Sequence, residues 1–410
     1  MNSAIPLSLV FLGLMVFLAH LFAAFYRKRM VPDVLMLMII GLIIGPIFGL
    51  VTPGDFGGFG PVFTTITLVV ILFESGTCLS LSTLKASWKS TTTLTFAAFF
   101  ATVFVLGAIV YIFLDFSVNS AITLGAILGG TSSAVVIPLV QQLKIGEETK
   151  TALILESAIN DVLCIVLALA CVQTFQQGEI NFGITLGSVI SSFTLATLMG
   201  IGCAMIWSRF IRLVRRLQNS IFTTPAFVFV VYGMAELLGF NGAIAALAFG
   251  VTMANIDTFK GFIVQRIMGG PGHKLNDTEM VFLRELTFLL KTFFFVYIGM
   301  SILFEDWTAI VNGLIFTAVV YVLRLIVAKY ASPRSANLYD KSVISMMTPK
   351  GLAAAVLATI PEMAGVPEGT MIKNITYAVV LFSIVVTSVL MIINNKSNKL
   401  QGFYQIFLGE

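Results

Sequence analysis

The sequence predicts an all-α, polytopic membrane protein. Apolar residues make up 58% of the 410-residue chain and charged residues 11%, with a mean hydropathy of +0.99, a balance foreign to water-soluble globular domains. The apolar residues gather into thirteen runs, most of them long enough to cross a hydrocarbon core of about 30 Å at about 1.5 Å per residue. The basic residues alternate between the ends of those runs. All but four follow odd-numbered spans or lie in the C-terminal tail, as Arg27, Lys28 and Arg29 do after the first and Arg209, Arg212, Arg215 and Arg216 after the seventh. The opposite loops carry Lys373 with Asp55, Asp115, Glu179, Glu305 and Asp306. This positive-inside asymmetry places the N-terminus outside and the C-terminus in the cytoplasm of a multi-pass plasma- or inner-membrane protein.

The spans are read at about 5–26, 31–51, 60–82, 91–114, 118–142, 150–175, 184–207, 222–239, 241–256, 279–303, 308–330, 342–361 and 370–393. The first lacks a basic lead and a small-residue cleavage site, so it reads as a retained helix. Residues 1–395 form one membrane domain and 396–410 a short cytoplasmic tail. No Gly-rich phosphate fingerprint occurs in the loops, so no nucleotide or nucleic-acid module and no cofactor is expected. Cys78, Cys164, Cys171 and Cys203 all fall within spans and indicate neither disulfide nor metal site.

Taken in order, the second span opens at Pro32 and places Gly41, Gly45 and Gly49 at every fourth position, the spacing of close helix packing. The third holds Glu74 about 16 Å from the end marked by Lys85, near mid-membrane. A carboxylate there either takes part in an ion path, directly or through water, or sits neutral at a helix interface. The fifth contains GAILGGTSSAVVIP, where paired glycines, Thr131, Ser132, Ser133 and Pro138 suit a helix that breaks mid-span. The twelfth breaks likewise at Thr348, Pro349, Lys350 and Gly351. The two breaks are offset by seven spans, from the fifth to the twelfth. Spans 1–6 and 8–13 therefore read as two inverted six-helix repeats, with broken helices 5 and 12 crossing at the site and span seven (184–207) as linker. Freed carbonyls at such breaks bind cations.

The sixth span carries Glu156, Ser157, Asn160 and Asp161. An ionised side chain at mid-membrane costs at least about 2.5 kcal/mol, so these acids face a cavity, a partner or an ion. Asn160 shares the face of Glu156, while Asp161 points about 140° away. Ser157, one turn before Asp161, stacks its hydroxyl beneath that carboxylate. These are hard oxygen ligands suited to Na⁺, K⁺ or Li⁺. Arg324 in span eleven lies at the depth of Glu156, so an ion pair between them fits, neither charge being cheap to bury alone. Lys350 lies at the depth of Asp161. Glu236 sits near an outer end and Lys291 near an inner one, without an assigned role, and His273 reads as a solvated loop residue.

These motifs resemble the monovalent cation/proton antiporter superfamily, over almost the whole chain. ESAIND at 156–161 is similar to the Glu-Ser-x-x-Asn-Asp signature of its sodium/proton exchanger branch, and LFESG around Glu74, PDVLMLMIIGLIIGP, GFNGAIAALAFG and Pro349-Lys350-Gly351 are similar to that branch's helices. The resemblance implies that Asp161 carries ion or proton and that Ser157, Glu74 and the backbone at Thr131 help hold Na⁺. It implies an Arg324–Glu156 pair, and an elevator in which a core (about 90–175 and 308–393) moves against a dimer-forming scaffold (about 1–85 and 220–305). Members with Asn-Asp on the sixth span resemble electroneutral exchangers. Thr131-Ser132-Ser133 departs from the branch's Thr-Asp-Pro toward the Ser-Ser-Thr of potassium-efflux proteins, which leaves the cation open. The expectation is a homodimeric Na⁺/H⁺ antiporter serving pH homeostasis, with a K⁺/H⁺ antiporter or K⁺ efflux pathway as the alternative. A membrane-embedded enzyme would need a nucleophile or metal set beside the acids, and no His lies in any of the spans that hold them.

Overall fold

A computed structural model describes residues 10, 13–22, 24, 32–56, 59–79, 81, 88–176, 182–218, 220–258, 273–396 and 399–408. The basic run Arg27–Arg29, Lys85 and Glu179 lie outside the described residues. Every regular element among them is helical. The helices are α1 Gly13–Phe22, α2 Asp33–Leu42, α3 Phe59–Cys78, α4 Trp88–Phe113, α5 Val118–Gly129, α6 Ser133–Gln142, α7 Glu147–Gln176, α8 Phe182–Val214 and α9 Thr223–Leu237. They continue with α10 Gly242–Ala254, α11 Asp277–Ser301, α12 Trp307–Ala331, α13 Leu338–Met346, α14 Leu352–Leu357, α15 Thr359–Met363, α16 Gly369–Lys396 and α17 Lys399–Leu408. Seven segments among the described residues are long and apolar enough to cross a bilayer: α4, α5 with α6, α7, α8, α9, α12 and α16.

The chain divides into two compact units. The first comprises Met1–Gly57, Ser87–Phe175 and Lys291–Glu410. Its helices start where polar side chains satisfy the free N–H groups of a first turn. Ser117 accepts from the Ser120 amide at α5, Asp306 from the Ala309 amide at α12, and Asn337 from the Asp340 amide at α13. Close packing depends on small residues. A Cβ on Gly41 of α2 would lie 2.1 Å from the Val296 carbonyl oxygen, and one on Gly299 would lie 2.2 Å from that of Met38, so two glycines let α2 and α11 touch backbone to backbone. Gly49, the third member of that spacing, serves instead as a turn, with φ +62°.

The second unit comprises Gly58–Ala86 and Gln176–Leu290, and is built on α3, α8, α9 and α10. The division expected at 239–241 falls there as a turn between α9 and α10, with Gly239 at φ +74° and Asn241 capping the Ile244 amide. The linker helix runs past its expected end at 207 to Val214, so that Arg209 and Arg212 are helical rather than in a loop. Two causes are visible. The Trp207 indole donates to Thr224 at 3.0 Å, and the arginines lie where cations complement a helix C-terminus. Arg215 then closes a two-bond pair on Glu279, at 2.9 and 2.7 Å. His273 is clasped, not simply solvated: its amide donates to the Ser208 hydroxyl at 2.6 Å and Arg212 Nε donates to its Nε2 at 2.8 Å.

Candidate functional site

Both interrupted spans are interrupted where expected. α5 stops at Gly129, residues 130–132 are extended, and α6 begins at Ser133. α13 stops at Met346, residues 347–351 are non-helical, and α14 begins at Leu352. The two breaks meet. The Ser132 amide donates to the Pro349 carbonyl at 2.7 Å. A Cβ on Gly351 would lie 2.0 Å from Ser132 Oγ, and one on Gly130 would lie 2.5 Å from Cys164 Sγ of α7, so neither glycine tolerates a side chain without movement. The backbone groups released from each helix are answered partly by the other, which is how a broken helix survives away from water.

Lys350 enters this crossing fully buried, at 1% exposure. Its Nζ donates to the Gly130 carbonyl at 2.7 Å and to Thr348 Oγ1 at 3.4 Å, while its amide donates to Ser383 Oγ at 2.9 Å. The Lys350 Nζ thus sits at the C-terminal end of α5, where helix carbonyls concentrate partial negative charge.

α7 supplies the acids. Glu156, Ser157, Asn160 and Asp161 are all buried. Asp161 Oδ2 accepts from Ser133 Oγ at 3.0 Å. The Asn160 amide donates to Thr131 Oγ1 at 3.4 Å, and its Oδ1 has no partner among the described residues. Asn160 therefore addresses Thr131 within the first break, and Asp161, from the next face of α7, addresses Ser133 at the start of α6. Ser157, expected beneath Asp161, donates instead to the Ile154 carbonyl at 2.9 Å, a common use of a helical serine. Ser133 takes its place as hydroxyl partner. The sequence showed Ser133 within the hydroxyl run but not that the break would turn it toward α7. Ser132 lies against Gly351, and a cavity of about 10 Å³, the space of about one water, opens beside Gly129, Thr131, Arg324, Thr348 and Lys350.

Glu156 and Arg324 form a two-bond ion pair, Nη1 to Oε1 and Nη2 to Oε2 at 2.7 Å, with Arg324 Nε donating to the Ile344 carbonyl of α13 at 2.9 Å. Planar guanidinium suits this use because its fork satisfies both carboxylate oxygens and still spares a donor. The pair is electrically closed, and Asp161 has no ion-pair partner among the described residues. Glu74 lies half-buried on α3, in the other compact unit.

Crossed broken helices, a buried carboxylate without an ion-pair partner among the described residues and a bundle of apolar spans define an all-helical, multi-pass membrane protein with a polar crossing in its interior. The description of the sodium/hydrogen exchanger transmembrane family matches residues 13–392, and this chain belongs to that family. It is similar to the K⁺/H⁺ antiporter NhaP2 of Shewanella oneidensis, 22% identical over 85% of this chain and 60% of that one. It is also similar to a Na⁺/H⁺ antiporter, itself uncharacterised, of Schizosaccharomyces pombe, 25% identical over 65% of this chain and 47% of that one. The chain thus spans about half to three-fifths of the length of these curated relatives. Its fold is that of the sodium/proton antiporter MjNhaP1 of Methanocaldococcus jannaschii, with a TM-score of 0.73 at 21% identity, covering 99% of this chain and 100% of the other.

Proposed function

We propose that this chain is an electroneutral antiporter exchanging one monovalent cation, with Na⁺ preferred, for one proton. The observation that carries this is Asp161 at the crossing, a buried carboxylate with no ion-pair partner among the described residues, beside an amide that cannot ionise, Asn160. A bare carboxylate resists passage through the membrane, and either a proton or a cation removes that resistance. Competition for one group couples the two fluxes, since each ligand shifts the same pair of states. Asp161, Ser157, Asn160, Thr131 and Ser132 form the ion site with Ser133. Glu156 and Arg324 hold the core together, and Lys350 keeps its charge throughout to offset the helix ends facing it.

The assembly is a homodimer in the plasma or inner membrane, its N-terminus outside and its C-terminus in the cytoplasm, serving pH homeostasis. Two inverted repeats build it, and a core of about 90–175 and 308–393 moves past a scaffold of about 1–85 and 220–305. Two observations favour K⁺ as the cation: the hydroxyl run Thr131-Ser132-Ser133, and the K⁺/H⁺ exchange named for NhaP2.

The test is cation-driven proton flux in proteoliposomes, scanned over Li⁺, Na⁺ and K⁺. Na⁺ should drive the largest flux, and a larger K⁺ response would select the second reading. Asp161→Asn should abolish flux with every cation while the protein stays folded and monodisperse. Retained flux in that variant would overturn the shared carboxylate.

A further inference from the structure

α13 is the short helix that precedes the second break. It has nine residues, too few to hold a helical conformation or a position by itself, and it leads directly into the non-helical stretch that carries Pro349 and Lys350. Where the crossing sits relative to Asp161 therefore depends on what fixes α13 against α7. Arg324 does part of this, with Nε on Ile344 of α13 and its fork on Glu156 of α7.

A second tie lies one turn earlier along α13. Asp340 is buried at 1% exposure, and none of the described Lys, Arg or His residues forms an ion pair with it. Its carboxylate accepts from the Gly146 amide, 3.3 Å from each oxygen, and from Thr149 Oγ1 at 3.0 Å. Gly146 immediately precedes α7, and Thr149, itself fully buried, lies in the first turn of α7. Asp340 is in the first turn of α13, its own amide held by Asn337. The carboxylate thus stands between two helix N-termini, where free N–H groups and the dipole favour an anion. The approach is close: a Cβ on Gly146 would lie 2.9 Å from Asp340 Oδ2. Its donors among the described residues are an amide and a hydroxyl, which act over a narrow range of distance and angle. A contact of that kind sets a register.

We propose that Asp340 is a positioning residue for ion exchange: held by Gly146 and Thr149, it locks the start of α13 to the start of α7 and so sets the distance between Asp161 and the crossing. Asp340 touches neither ion nor proton carrier. Three ties then run in order along α13 and beyond: Asp340 at the first turn, Ile344 on Arg324 at the next, and Lys350 on Gly130 at the crossing. Loosening the first leaves the short helix pivoting on the second. The consequence for exchange rests on the antiport reading above; the consequence for α13 does not.

Two readouts separate these. Thr149→Val removes the hydroxyl at nearly constant volume, Gly146→Ala crowds the carboxylate without removing a polar group, and Thr149→Ser keeps the hydroxyl. In proteoliposomes, Thr149→Val and Gly146→Ala should raise the KM for the driving cation about tenfold, the lower end for groups that orient an ion's ligands, with Vmax per folded protein little changed. Thr149→Ser should match the parent. In detergent, hydrogen exchange of amides 344–352 should quicken in the first two variants and not in the third. Loss of folded protein with KM unchanged, or unchanged exchange at 344–352, overturns the proposal and leaves Asp340 a purely structural group. Faster exchange with an unchanged KM overturns its role at the ion site. If the parent protein shows no cation-driven flux, the antiport reading fails, while the amide exchange still decides whether Asp340 anchors α13.

Discussion

Arg324 directs Nε to α13 and its fork to α7, and it does so at 2% exposure against a glutamate at 1%. Removing one member of such a pair strands the other in a medium that solvates it poorly. Arg324→Ala should therefore destabilise the protein by about 3–5 kcal/mol, and Arg324→Ala with Glu156→Gln by less, because no charge is left behind. Thermal unfolding in detergent measures both, and a single variant as stable as the parent would show that the pair does not hold the fold. His273 invites a test of the opposite kind, on an exposed surface. Arginine only donates, so the hydrogen bond from Arg212 requires a bare Nε2, and the ring must be neutral. Partial burial and the nearby Arg212 and Arg215 lower its pKa from 6.5. A histidine whose folded value is depressed contributes stability that is present above the unfolded pKa and lost as pH falls through the folded one. Melting temperature should thus drop between about pH 7 and pH 5, and His273→Gln should remove part of that slope. The loop composition around His273 reads as solvated because the helix that clasps it is remote in sequence.

The broken helices are the elements that make a site out of ordinary spans. Gly-Gly-Thr-Ser-Ser and Thr-Pro-Lys-Gly are legible as interruptions, since glycine, proline and clustered hydroxyls all weaken a helix in lipid. That they touch is not legible, because contact between segments so far apart depends on packing of the whole core. The tightest point is Gly351 against Ser132. Gly351→Ala should push the breaks apart, lowering both exchange and melting temperature, and Ser132→Gly should recover part of the loss by vacating the space. Equal loss in the single and double variants would mean that crowding against Ser132 is not what Gly351→Ala disturbs. Ser157 and Ser133 illustrate the same limit. A hydroxyl one turn from Asp161 is the nearest donor by helical geometry, yet a serine in a helix has its own backbone carbonyl to satisfy, and the break presents a competitor from outside.

For the whole molecule the governing quantity is charge moved per cycle. On the proposed mechanism, with Asn160 unable to ionise, Glu156 closed on Arg324 and Lys350 keeping its charge, Asp161 is the group that changes state at the crossing, and one cation out for one proton in would move no net charge. Exchange should neither create nor respond to a membrane potential. An inside-negative potential set by an inward thiocyanate gradient, with K⁺ absent, tests this in tight liposomes. A shift in the equilibrium pH difference at a fixed Na⁺ gradient would rule out one-for-one exchange and implicate Lys350 as a second proton carrier.

Composition, the spacing of apolar runs and the placement of Lys and Arg were sufficient for the membrane class, the helical fold and the positions of both breaks. Each follows from short-range physics: a bilayer demands satisfied backbone and apolar surface along every span, and that demand is written locally. The depth of a residue in its span is also local, which is why Glu156 and Arg324 could be matched before any contact was seen. Orientation around the axis and choice among competing partners are not local. Tertiary packing alone decided that Ser133 rather than Ser157 reaches Asp161, that Lys350 finds the Gly130 carbonyl, and that Asp340 bridges two helix starts. A polar side chain in an apolar interior takes whichever donor or acceptor the fold brings within about 3 Å, and only the assembled bundle determines which one that is.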